Sequence, residues 1–164
     1  MRVLHVNTSD KHGGAARAAH RIHLAQRQIG LDSHMLVLHS SDDEPYIHAF
    51  FPKGGKLVQH LRQTLSSRLM SRQHSPGNPT LHSLNRFGTG LADWINRSDF
   101  DVVNLHWIGS EMLSIEEIGR IQKPLFWTMH DMWPFCGAEH YDDLDHPGRY
   151  RLGYTSASRT PGHS

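Results

Sequence analysis

Residues 2–30 read RVLHVNTSDKHGGAARAAHRIHLAQRQIG, and this stretch carries the fold. RVLHVN is a short β-prone run, and the polar TSDKH after it is what a buried parallel strand shows where it leaves its sheet. Gly13 and Gly14 then open a helix in which Ala15, Ala18, Ala19, Ile22, Ala25 and Ile29 recur at helical spacing, with Gly30 as its stop. Residues 32–39, DSHMLVLH, supply a second strand. Strand, loop, helix and strand in this order predict an α/β, Rossmann-like, doubly wound and mostly parallel sheet.

The rest of the chain continues the pattern. Residues 46–51 form a short strand candidate, broken by Gly54 and Gly55. Residues 56–72 place Leu57, Leu61, Leu65 and Leu69 at steps of four, with Val58 alongside, so one helical face is apolar. Residues 74–85 hold Pro76, Gly77 and Pro79 and read as loop, and residues 91–95 as a helix ending before Asp99. Residues 101–107 are a strand candidate. Ser114 caps a short helix to Ile121 with Glu117 three residues on, and residues 123–129, KPLFWTM, read as another buried strand. Beyond Tyr141 the sequence turns polar and rich in Pro and Gly, as expected outside a packed core.

At 164 residues and 37% hydrophobic content the chain suits one domain with one ordinary core. Lys plus Arg (17) nearly balances Asp plus Glu (16), which gives no reason to expect a nucleic-acid partner. The single cysteine, Cys136, cannot form an internal disulfide, and Met1 opens no leader-like apolar stretch, so a cytoplasmic location is expected.

Two places concentrate chemistry. A strand followed by a polar loop and a glycine-opened helix presents unpaired N–H groups and the positive end of a helix dipole, which suits a phosphate. The same pattern also serves a plain strand-to-helix turn, and G-x-G-x-x-G is absent. The second place is residues 127–141, WTMHDMWPFCGAEHY, where a parallel strand delivers polar and aromatic groups to a crevice. Asp131 and Glu139 suit the hydroxyls of a sugar, Trp133 its apolar face, and His130 is placed to donate to a hydroxyl or to a leaving group. Against that stands a structural reading, with Trp127 in the core and His130 capping the strand end.

VLHVNTSDKHGGAARAAHRIH, VVNLHW and FWTMHDMWPFCGAEHY together resemble the N-terminal domain of bacterial retaining glycosyltransferases of family 4, of the kind that builds lipopolysaccharide, O-antigen or colanic-acid polysaccharides. The resemblance covers residues 1–154, with 155–164 a polar tail. It implies the acceptor-side half of a GT-B enzyme, with a nucleotide-sugar donor, a lipid-linked saccharide acceptor and no cofactor. Gly13 and Gly14 would approach the donor pyrophosphate, and His130 would lie against the transferred sugar as the catalytic residue. Asn104 stands where many relatives carry a histidine, and it takes no role from the resemblance. The donor domain of such enzymes is missing from the sequence, so a truncated chain, inactive alone, is expected.

Between Pro45 and Ala92 no acidic residue occurs, while Lys56, Arg62, Arg68 and Arg72 lie in or beside the predicted leucine helix. A basic amphipathic helix suits the anionic inner face of the plasma membrane. It equally suits packing on the sheet through its leucines, with the basic back in water. Of the 15 histidines, none stands in a zinc-site spacing, and no metal is expected. Two rival readings remain: a metal-dependent hydrolase built on His106, His130, Asp131 and His140, and a non-catalytic module that docks on a membrane or a partner.

Overall fold

The computed structural model describes residues 1–41, 43–73, 80–142, 149–153 and 155. The elements run β1 (Arg2–Ser9), α1 (Gly14–Gln28), β2 (Asp32–His39), β3 (Ile47–Ala49), α2 (Gly55–Gln73), α3 (Leu91–Arg97), β4 (Val102–Leu105), α4 (Ile115–Gly119), β5 (Leu125–Trp127) and α5 (Arg149–Leu152). The five strands pair in the order β3-β2-β1-β4-β5, all parallel. The expected Rossmann-like α/β sheet is therefore present, and its strand order reverses between β1 and β4.

Alternate residues of a strand face opposite sides, and the two sides are packed differently. Leu4, Val6, Leu36, Val103 and Leu105 join α3 and the loop before α4 in the main core, with Leu91, Ile95, Met112 and Leu113 wholly buried there. On the other side Met35 and Val37 meet Ala19 of α1 and Ile47 in a smaller cluster. His5 pairs in register with Met35 and so shares the α1 side.

Helix α1 begins where the glycine pair places it and ends at Gly30, whose φ of +84° needs glycine. Gly30 N donates to Arg27 O and Leu31 N to Gln26 O, the two bonds of a Schellman cap. Its buried residues are Ala16, Ala19 and His23, while Ala25 and Ile29 are exposed. The expected apolar stripe is thus rotated toward a face that includes a histidine. Ser114 accepts from Glu117 N and completes the expected capping box of α4.

One expectation is corrected, and one of the two alternatives for the leucine helix is set aside. Residues 123–129 do not form a buried strand: β5 keeps three residues at the edge of the sheet, and Leu125 and Phe126 are exposed. Helix α2 does not pack through its leucines, since Leu57, Leu61 and Leu65 are 72%, 56% and 47% exposed. It is held by polar groups instead. Gln59 and Gln63 donate to Ser110 O, Gln59 also to Glu111 O, and Ser66 donates to the Glu111 carboxylate. Periodicity locates an apolar stripe but does not say which way it faces. The polar tail lies outside the described residues except Thr155, as do residues 74–79 of the expected loop.

Candidate functional site

The carboxyl ends of β1, β4 and β5 lead into a cleft of about 470 Å³. Its walls include Asn7, Thr8 and Ser9 of β1, Gly13 to Ala16 at the start of α1, Trp107 after β4, and His130 and Asp131 after β5. It lies over the reversal of strand order, where parallel α/β sheets bind their ligands.

The floor is tightly determined. Asn7 accepts from Trp107 N at 2.8 Å and donates to Ser9 O at 2.5 Å. Thr8 donates to Trp107 O and Gly109 O, which ties the end of β1 to the segment after β4. Asp10, fully buried, accepts from Ser41 N and Ser41 Oγ. Burial works to raise its pKa, but the hydrogen bonds from Ser41 and the backbone outweigh it, and the carboxyl is held below its ordinary range.

Gly13 is the N-cap of α1 with φ +93°, a conformation that favours glycine, and no side chain caps the helix. The first turn contains no acidic residue. Within the helix itself no acidic side chain stands beside the N–H groups of this first turn, which suits an anion there.

On the opposite wall, Asp131 is committed to the protein. It accepts from Trp107 Nε1 at 3.0 Å, from Trp133 N at 3.1 Å and from His140 Nδ1 at 2.5 Å. Ser83 Oγ lies 2.8 Å from His140 Nε2, so Ser83, His140 and Asp131 form a line that fixes the loop carrying His130. His130 Nε2 lies 2.9 Å from His106 Nδ1. Burial lowers the pKa of His130 and the Asp131 charge partly opposes this. In His106, burial and the neighbouring His5 and His130 push the pKa to about 3.

The structure therefore brings Gly13, Gly14, His130 and Asp131 into one cleft but not the other expected sugar contacts. Trp133, 7% exposed, belongs to the main core, packs on Trp127 and donates to Ser83 O. Its face is not open to a sugar. Glu139 is buried beside His82, with which it forms an isolated bridge. Asn104 accepts from Thr128 N and Oγ1 and joins β4 to β5. Of the expected membrane-facing cations, Lys56, Arg68 and Arg72 are exposed. Arg62 instead turns inward to Lys53 O and Gln59 Oε1.

A second cavity of about 810 Å³ adjoins the cleft and shares Leu81 and Trp107 with it. Ser66, Ser67, Ser71, Ser83 and Ser110 give it a hydroxyl-rich lining, with Met70 and Leu84 as apolar patches. Sequence reasoning missed this cavity because α2 contributes the residues between its leucines. It also missed the contribution of Asn7 and Trp107, which have no local signature.

Among the described residues, no group of three or more His, Cys, Asp or Glu side chains is arranged to hold a metal ion. Both ring nitrogens of His106 are taken by other histidines, so the ligand set of the hydrolase reading is not assembled. No helix among them is long and apolar enough to cross a membrane.

Fold and site together define an α/β protein with a parallel five-stranded sheet and a cleft at its topological switch point. Compared with models of known families, with curated proteins and with solved structures, the chain matches none.

Proposed function

We propose that this chain is the acceptor-side half of a glycosyltransferase of the GT-B kind, taking a nucleotide sugar as donor and a saccharide, lipid-linked in cell-surface polysaccharide synthesis, as acceptor. The observation that carries the reading is the meeting of the uncapped start of α1 and His130 in one cleft. Gly13 and Gly14 present N–H groups to the pyrophosphate, and His130 stands against the transferred sugar. The adjoining serine-lined cavity offers room and hydroxyl partners for the acceptor. Transfer itself also needs a second wall that carries the nucleotide.

The exposed leucines of α2 favour a companion role at the membrane. Leu57, Leu61 and Leu65 lie beside Lys56 and Arg68, and no acidic residue occurs between Pro45 and Ala92. Such a face suits the anionic inner leaflet, where a lipid-linked acceptor is met.

The test is titration of the ¹⁵N-labelled chain with a panel of nucleotide diphosphate sugars, followed by amide shifts. Movement of Gly13, Gly14 and the residues around His130 is expected at millimolar concentrations. No movement with any member of the panel would sink the donor-binding reading.

A further inference from the structure

On the α1 side of the sheet four side chains form an unbroken line. Gln26 Oε1 lies 2.8 Å from His5 Nε2, His5 Nδ1 lies 2.9 Å from His106 Nε2, and His106 Nδ1 lies 2.9 Å from His130 Nε2. The direction of the line follows from the side of the Gln26 amide that faces His5, which is its oxygen. An amide oxygen only accepts, so His5 carries its proton on Nε2 and, when neutral, accepts at Nδ1. His106 then donates from Nε2 and accepts at Nδ1. His130 must donate from Nε2 in turn, which leaves the lone pair of a neutral His130 on Nδ1. Among the described residues no hydrogen bond to that nitrogen is present, and His130 lines the cleft.

The line is not a proton conduit. A proton taken up by His130 and passed along would arrive at Gln26, whose amide does not hold it. What the line can do is hold one tautomer. Burial supports this, since His5 and His106 are fully enclosed and both are biased to the neutral form.

We propose that Gln26, His5 and His106 are positioning residues that lock His130 as its Nε2–H tautomer, so that the cleft meets its ligand there with a hydrogen-bond acceptor. The matching ligand group is a hydroxyl, which donates, and not a carboxylate or phosphate oxygen, which does not. This changes the expectation that His130 donates. It rests on the cleft being the sugar-binding site, and adds which kind of sugar atom His130 touches.

The test is long-range ¹H–¹⁵N spectroscopy of the histidine-labelled chain at pH 7.5. His5, His106 and His130 are all expected as Nε2–H tautomers. In Gln26→Leu and, separately, His5→Phe, His130 is expected to become a mixture, with amide spectra reporting that the fold is kept. An Nδ1–H tautomer of His130 in the parent chain would overturn the lock, as would an unchanged His130 in Gln26→Leu, the variant least able to disturb the core. Saturating glucose is expected to move the His130 Nδ1 resonance and glucuronate, carrying a carboxylate for one hydroxyl, to move it less. Equal responses, or none, would overturn the hydroxyl preference. A panel of nucleotide sugars that leaves the α1 amides unmoved while the lock holds would instead count against the donor-binding reading alone.

Discussion

Ser66 Oγ donates to Glu111 Oε1 at 2.6 Å, and through this bond α2 is fastened to the loop that follows β4. The other carboxylate oxygen of Glu111 accepts from Arg86 N and Phe87 N, both at 2.8 Å. One buried side chain, itself on a backbone with φ +56°, therefore joins three segments around the larger cavity. Glu111→Ala would orphan two backbone donors and a hydroxyl. With each buried donor left unpaired costing about 1–3 kcal/mol, a loss of roughly 3 kcal/mol or more is expected. Glu111→Gln keeps an acceptor for the two amides and should cost clearly less. Urea unfolding of the two variants measures this, and equal midpoints would show that the carboxylate is not what holds α2.

The orientation of α2 makes a separate prediction. Because its leucines are exposed, changing Leu57, Leu61 and Leu65 together to Ser should leave the unfolding midpoint nearly unchanged. Full burial of a leucine is worth about 1.5–3 kcal/mol, so the same variant should lose binding to anionic phospholipid vesicles by well over tenfold. Lys56→Gln and Arg68→Gln should each weaken it by about 1 kcal/mol, with high salt having a similar effect. Vesicle co-sedimentation reads both. Equal binding of the parent chain to neutral and anionic vesicles would remove the electrostatic part of the membrane reading.

Acid should destabilise the fold earlier than carboxylate titration alone would. His106 is pushed to about 3 and His23 to about 4, each chiefly by burial, from an ordinary 6.5. Both folded values lie below the unfolded one, so between these limits the unfolded chain binds protons that the folded chain refuses. Stability is then fully present above pH 6.5 and falls as the pH drops through the window toward 4 and 3. At about 1.4 kcal/mol per unit, each histidine contributes a loss of roughly 2 kcal/mol by pH 5. Denaturant midpoints between pH 7.5 and 5 should fall accordingly, and His23→Gln should flatten the slope. A midpoint constant over that range would contradict the neutral burial of these rings.

Much of this fold is legible in the sequence because the signals are local. The strand-glycine-helix opening, the Gly30 stop and the Ser114–Glu117 box are each decided within a few residues, and the structure contains all three. The direction of the α2 stripe was not legible, because a leucine repeat is the same whether it faces a sheet or solvent. Nor was the double duty of Glu117, which caps α4 and also accepts from Thr89 N and Gly90 N. At the site, Gly13, Gly14 and His130 carry recognisable patterns, whereas Trp133 and Glu139 look like sugar contacts only until packing places them. His5 gave the faintest signal, a histidine inside an apolar strand, and its meaning depends on residues from three other segments.

The two glycines of the cleft should separate structure from binding. Gly13 has φ +93°, so Gly13→Ala strains the backbone although space is open around it, and a stability loss on the order of 1 kcal/mol is expected. Gly14 is the first residue of α1, its φ is ordinary, and an added Cβ would meet nothing within 4 Å. Gly14→Leu should therefore fold with nearly parental stability. If the N–H groups of this turn hold a diphosphate, the leucine side chain blocks its approach, and nucleotide-sugar binding should fall at least tenfold in the same variant. Thermal unfolding and amide titration on the two chains give all four numbers. Parental affinity in Gly14→Leu would mean that the glycine serves only the turn, and that whatever occupies the cleft is held by the His130 wall.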